Sequence, residues 1–198
     1  MSNTKIYGIR WDMKSPATKL ERTMDAAALP NPRPAKNGFG GSSPFDHISP
    51  WCGIRECNVR GGAIVALDDD AEFTRDGSNG DVMVYFPAVY LKTFVEDGRY
   101  LNVQIASGEA DGFSKIAGRS CFCIGKYETS THGKVHVSVS GNKPAANMTR
   151  AEFREAAREK GAGWSQQDAA ARFALALLYL VEYADWNSQE SLGRGYVD

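Results

Sequence analysis

Nine consecutive residues, Phe173 to Val181 (FALALLYLV), are apolar on every side. In a helix such a run has no polar face to give to water, so it belongs in an interior. The run is too short to cross a bilayer, and Arg172 and Glu182 bracket it. The reading is therefore a helix from Ser165 to about Ala184, with the rest of the chain wrapped around it. A second helix precedes it. Thr149 and Glu152 have the spacing of a capping box, and Lys160 and Gly161 supply a stop.

Upstream the signals are mainly those of strands. Lys5 to Trp11 alternates. Ser15 to Ala28 allows a short helix with a thin apolar stripe. Leu29 to Pro50 is rich in Pro, Gly and Ser. That stretch is either a linker or a long loop pinned by Phe45, Ile48 and Trp51. Two short strands and a turn-rich segment are expected over 52–81. Val82 to Val95 is the strongest strand signal, and Pro87 within it argues for an edge or a bulge. Asp97-Gly98 marks a hairpin turn, with Tyr100 to Ile105 returning. Cys121 to Glu128 and Lys134 to Val139 are expected to pair with each other. Strands first and helices after them imply an α+β protein.

Charge limits the functions available. Lys and Arg number 23 against 24 Asp and Glu, a formal net charge of -1. Nucleic-acid binders normally carry a basic surplus. The N-terminus MSNTKIYG has no apolar core of a secretory signal, and no segment is built to span a membrane.

Chemistry-bearing residues are scattered. Asp68, Asp69, Asp70, Glu72, Asp76 and Asp81 form an acidic run that could hold calcium or could be a solvated turn; the EF-hand spacing is absent. His132 and His136 lack a carboxylate partner at metal-site spacing. Cys52 and Cys57 are spaced C-x4-C, and Cys121 and Cys123 C-x-C, neither a zinc-knuckle pattern. Cys121 and Cys123 share a strand face, as a reactive or metal pair or as small hydrophobes. The cysteines are expected to be reduced and metal-free. Ser138, Ser140 and Ser165 have no nucleophile-elbow context. Glu182 is either a perturbed acid or a carboxylate held by a buried Arg or by backbone donors. No cofactor is called for, and no enzyme activity.

Seven stretches, taken together and in order, carry a resemblance. They are IYGIRWD (6–12), SPFDHISPW (43–51), FTRDGSNGDVMVYFPAVYLK (73–92), CIGKYETS (123–130), SVSGNKPAANMT (138–149), GAGWSQQD (161–168) and LVEYADWNSQESLGRG (180–195). The chain resembles tail-associated proteins of tailed bacteriophages and gut prophages. Those proteins have the C-type-lectin-like fold shared with formylglycine-generating enzymes and the variable proteins of diversity-generating retroelements. The resemblance implies two helices packed on a small twisted antiparallel sheet with long loops. It implies an N-terminal strand and Pro/Gly-rich segment over 1–50, read as an attachment region, and a lectin-like domain over 51–198. In the family the sequence continues past LGRG into a Gly-Asn-Trp-rich half with the variable binding surface. This chain stops at Asp198, so that half is absent, supplied by another chain, or replaced in a short form.

The function implied is recognition of a host cell-surface glycan or protein at the phage tail, in a virion assembled in the bacterial cytoplasm. Other tail proteins would be its partners. Candidate ligand residues are Trp186, Asn187, Arg194 and Tyr196; the alternative for them is a structural role. Tyr183, Trp186, Leu192, Tyr196 and Val197 form the patch expected at an oligomer interface, with a trimer implied by the resemblance. Competing functions are a virion assembly or decoration protein without a ligand site, and a formylglycine-generating-type enzyme. The latter needs a copper-binding cysteine pair near the C-terminal part of its fold, where Cys121 and Cys123 do not lie.

Overall fold

The computed structural model describes residues 4–34, 40–133 and 135–194. Among them are eleven strands, three α-helices and short 3-10 turns. Every strand pairing is antiparallel, and the class is α+β. The chain divides into two compact units: 1–52 with 88–120 and 172–198, and 53–87 with 121–171.

The first unit is built on a five-stranded sheet. Its strands are β1 (Ile6–Asp12), β2 (Glu21–Met24), β6 (Tyr90–Glu96), β7 (Tyr100–Ala106) and β8 (Ser114–Lys115). They run in the order β2-β1-β7-β6-β8. Alternation puts Tyr7, Ile9, Val103 and Ile105 on one face, all buried. Phe45 and Trp51 come from the Pro/Gly-rich stretch and meet Tyr7 edge-on at 5.9 and 6.0 Å. Phe45 is fully enclosed. Over the described residues 40–50 that stretch is thus a loop pinned by Phe45, with a 3-10 turn at Pro44–His47 capped reciprocally by Ser43 and Asp46.

Two expectations fail in this unit. Residues 15–28 form no helix: β2 pairs with β1, Arg10 opposite Glu21 and Tyr7 opposite Met24. An edge strand needs little apolar surface, and its Glu21 carboxylate lies 2.8 Å from Arg10. The 82–95 signal is two strands, because Pro87 ends the first and the second lies in another sheet. The hairpin at Asp97-Gly98 forms as expected. Both residues have positive φ, 52° and 61°, and the Arg99 N–H donates to the Glu96 carbonyl at 3.0 Å, closing the turn within the three residues between paired Glu96 and Tyr100.

The second unit contains β3 (Arg55–Arg60), β4 (Ala63–Leu67), β5 (Asp81–Pro87) and β9 (Cys121–Gly125), in the order β4-β3-β5-β9. β10 (Ser130–His132) and β11 (Val135–Val137) form a hairpin of their own. The expected pairing of the 121–128 strand with the 134–139 strand is therefore wrong. β9 lies on β5, with Phe122 stacked on Phe86 at 4.9 Å, and the turn at 129–133 is itself partly strand. α1 (Arg150–Glu159) has the anticipated capping box at Thr149 and Glu152.

α2 runs from Ala169 to Tyr183, starting later than expected. The Asp168 carboxylate accepts from the Ala171 N–H at 2.8 Å, satisfying a free donor of the first turn. Ala174, Leu177, Leu178, Leu180 and Val181 are buried. Arg172, Phe173 and Ala176 are exposed, so α2 is not wrapped on all sides. An apolar sequence gives no polar face to read, yet helical spacing still leaves one side to solvent. α3 (Ser188–Leu192) follows. No helix among the described residues is long and apolar enough to cross a membrane.

Candidate functional site

The acidic run does not gather. Asp69 pairs with Arg55 at 2.6 Å, and Asp68 pairs with the same guanidinium. Asp70 accepts from the Leu67 N–H and Asp76 from Ser78, while Asp81 holds Lys160. Asp68 and Asp69 share Arg55 while Asp70, Asp76 and the buried Asp81 turn to other partners, so these carboxylates do not converge on one point. Among the described residues no three His, Cys, Asp or Glu side chains stand together as a metal site. His132 faces Val135 across the hairpin, and His136 faces Thr131 and packs its ring edge-on against Phe153.

All four cysteines are free. Cys123 has Cys57, not Cys121, as its thiol neighbour. The register places Cys57 opposite Met83 and Cys123 opposite Tyr85, on one face of the sheet. The hydrogen bond between the thiols raises Cys57 and lowers Cys123. Cys57 is fully buried, and Cys121 is exposed rather than a buried hydrophobe. Ser138 is structural. Its hydroxyl donates to the Val82 carbonyl and accepts from the Tyr127 N–H.

One concavity lies within the first unit. It is a cavity of about 540 Å³ bordered by Lys19, Arg22, Asn31, Tyr183, Glu190 and Ser191, with Leu29, Pro32 and Pro34 beside them. That size is ordinary for a small-molecule site. Its walls are fixed by hydrogen bonds. The segment at Thr18–Leu20 runs along Ala184–Trp186, with Leu20 N–H to Ala184 O at 2.8 Å and Trp186 N–H to Thr18 O at 2.9 Å. Beneath it Asp185 is fully buried. Asp185 accepts from Lys19 Nζ at 2.6 Å, the Asn187 N–H at 2.9 Å and the Ser191 hydroxyl at 3.3 Å. Burial pushes the Asp185 carboxyl up, but Lys19 and the Asn187 N–H outweigh it and hold it below the usual range. The hydrogen bond to Asp185 raises Lys19 in turn.

Arg22 also lines the cavity. Its guanidinium donates to the carbonyls of Leu29 and Pro30 at 3.1 Å each and to the carbonyl of Glu182. It also lies over the Phe45 ring at 5.8 Å. Burial lowers its affinity for the proton. The Arg beside Glu182 thus bonds to its main chain, and the expected pairing with its carboxylate is not what forms. That carboxyl meets the Ser43 hydroxyl, and burial raises it above the usual 4.5, with Asp46 adding to the rise.

The sign for Glu182 follows directly. A folded-state value above the unfolded one favours the protonated form on folding. Stability from this group is present in acid and is lost as pH rises through the folded value. Glu182→Gln should therefore raise the melting temperature at neutral pH and leave it unchanged well below the ordinary glutamate range. Thermal melts at both pH values check this; a neutral-pH loss would show that the carboxylate is stabilising.

Of the residues flagged for ligand contact, Trp186 is 44% exposed and meets Trp11 edge-on at 5.2 Å. Asn187 caps α3, accepting from the Glu190 N–H at 3.2 Å. Arg194 is exposed, and Tyr196, like Val197, lies outside the described residues. Trp186, Asn187 and Arg194 do not line the cavity. Asn187 contributes indirectly, because it sets the start of the short helix that presents Glu190 and Ser191. Lys19, Arg22 and Asn31 gave no local signal in the sequence; the cavity joins them to a helix end some 160 positions away, as the Arg22–Glu182 separation of 160 illustrates. No known protein family, curated protein or solved structure matches the chain.

Proposed function

We propose that this chain is a non-catalytic tail component of a bacteriophage virion that recognises a host-surface glycan, with the first-unit cavity as the ligand site. The observation that carries the binding role is that cavity. It is open, its walls are fixed by the Lys19–Asp185 and Arg22 hydrogen bonds, and Asn31, Tyr183, Glu190 and Ser191 line it. An amide, a carboxylate, hydroxyls and an aromatic ring around a rigid concavity suit a hydroxylated ligand. Such a ligand needs several directed hydrogen bonds and a flat surface to lie against. The resemblance of seven ordered stretches to phage tail proteins supplies the setting. The C-type-lectin-like arrangement and a three-fold tail assembly, with Trp186 and Leu192 exposed at 44% and 49%, belong to the same reading.

A printed array of bacterial surface glycans tests it. The expected result is a defined set of bound glycans, with binding lost in Asn31→Ala and Tyr183→Ala while both variants keep the wild-type melting profile. No bound glycan, or binding indifferent to both substitutions, would overturn the site. Virion incorporation without glycan binding would favour an assembly or decoration protein instead.

A further inference from the structure

We infer that β6 pairs with β6 of a second copy of this chain, antiparallel and two-fold symmetric about Phe94, so that the five-stranded sheet continues across the contact. β8 covers β6 only at Tyr90 and Leu91. Beyond that point Lys92, Thr93, Phe94, Val95 and Glu96 are all exposed. Among the described residues no strand lies along their outer side. An open edge of this kind is a template for another strand.

Which backbone groups face outward is fixed by the existing bonds. The Val89 carbonyl points to the β8 side, because it accepts from the Ile116 N–H at 3.1 Å. In an antiparallel ladder a residue's N–H and C=O point the same way and alternate from residue to residue. Leu91, Thr93 and Val95 therefore face outward. Lys92, Phe94 and Glu96 face β7, opposite Gln104, Asn102 and Tyr100. A two-fold axis through Phe94 sets Thr93 against Val95 of the second copy, and both have outward groups. Each such pair exchanges both of its N–H···O bonds. Phe94 then meets its own symmetry mate at a non-hydrogen-bonded position, where side chains approach most closely.

The charges select this register. With Phe94 on the axis, Lys92 stands opposite Glu96 of the second copy, and Glu96 opposite its Lys92. A lysine on an edge strand normally discourages pairing. Here a carboxylate four positions on converts it into an attractive cross-strand pair. Moving the axis to Lys92 or to Glu96 places like charges face to face, which is unfavourable. Glu96 has only long contacts within its own sheet, to Arg10 at 3.7 Å and to the Asn102 amide at 3.5 Å, and Arg10 has the closer Glu21 at 2.8 Å. The edges of the four-stranded sheet lack this code: β4 and β9 carry no charged residue to fix a register, and the ladder between β3 and β4 shifts at Asn58/Val59.

Sedimentation velocity over a micromolar dilution series, with native mass spectrometry, is the test. The wild-type chain should form dimers. Val95→Pro removes an outward N–H that β7 does not use, and it should give monomers with an unchanged circular dichroism spectrum. Lys92→Glu and Glu96→Lys each replace attraction by repulsion at both symmetric pairs and should weaken dimerisation roughly tenfold or more. The double swap Lys92→Glu/Glu96→Lys should restore it, a rescue that a general loss of folding would not give. A wild-type monomer, a dimer indifferent to Lys92→Glu, or a double swap that fails to recover would each overturn the pairing. A trimer that survives Val95→Pro with no two-fold species would also overturn it, leaving the tail proposal standing on its own test.

Discussion

Replacing Lys160 by Met is expected to destabilise the second unit by about 3–5 kcal/mol, the scale seen when one partner of a buried ion pair is removed. Lys160 closes the end of α1. Its Nζ lies 2.6 Å from both Asp81 carboxylate oxygens and 2.9 Å from the His136 carbonyl. It also sits 4.1 Å from the centre of the Trp164 ring. The two side chains are only 15% and 11% exposed. Asp81 opens β5, and its other partner is the Ser138 N–H at 2.8 Å. Without the ammonium group, a buried carboxylate keeps that single donor and little water. The cost is this uncompensated charge, so Lys160→Met/Asp81→Asn should recover most of it. Urea denaturation followed by Trp164 fluorescence reads both variants. A single-variant loss below about 1 kcal/mol would place the pair with ordinary surface bridges.

How legible such features were depended on the distance over which they form. The capping box at Thr149 and Glu152 and the hairpin turn at Asp97-Gly98 are written within four residues, and both form. The α+β class followed from the order of periodic segments. The Lys160–Asp81 lock joins residues 79 apart, and nothing in either local sequence names the other. The same holds for the acidic run, whose meaning depends on where Arg55 and Lys160 arrive. Strand partners were misread at Cys121–Gly125 because alternation shows that a strand exists but not its neighbour. The 15–28 segment was misread because edge strands tolerate the polar composition of an exposed helix. The cavity was invisible for a related reason. Its walls rest on Arg22 donors to main-chain carbonyls and on a fully buried Asp185, and main-chain acceptors leave no trace in a sequence.

Leu178→Ala should cost about 2–5 kcal/mol, the range for truncating a large side chain in a packed interior. Leu178 is 4% exposed, and Val181 and Ala174 on the same helix are fully enclosed. Truncation therefore opens a void that neighbours on a regular helix can only partly fill. Helix propensity contributes little to the difference, since Leu and Ala both rank high in helices. Phe173 provides the internal control. It lies in the same apolar run, but it is 48% exposed, so Phe173→Ala removes a side chain that leaves much less of a hole and should cost clearly less. The comparison isolates burial from sequence context, because both positions belong to the run that appears uniformly apolar. Denaturant midpoints with unchanged m-values measure the two losses. Equal costs, or a Leu178→Ala loss under about 0.5 kcal/mol, would mean that α2 does not bury the face assigned to it.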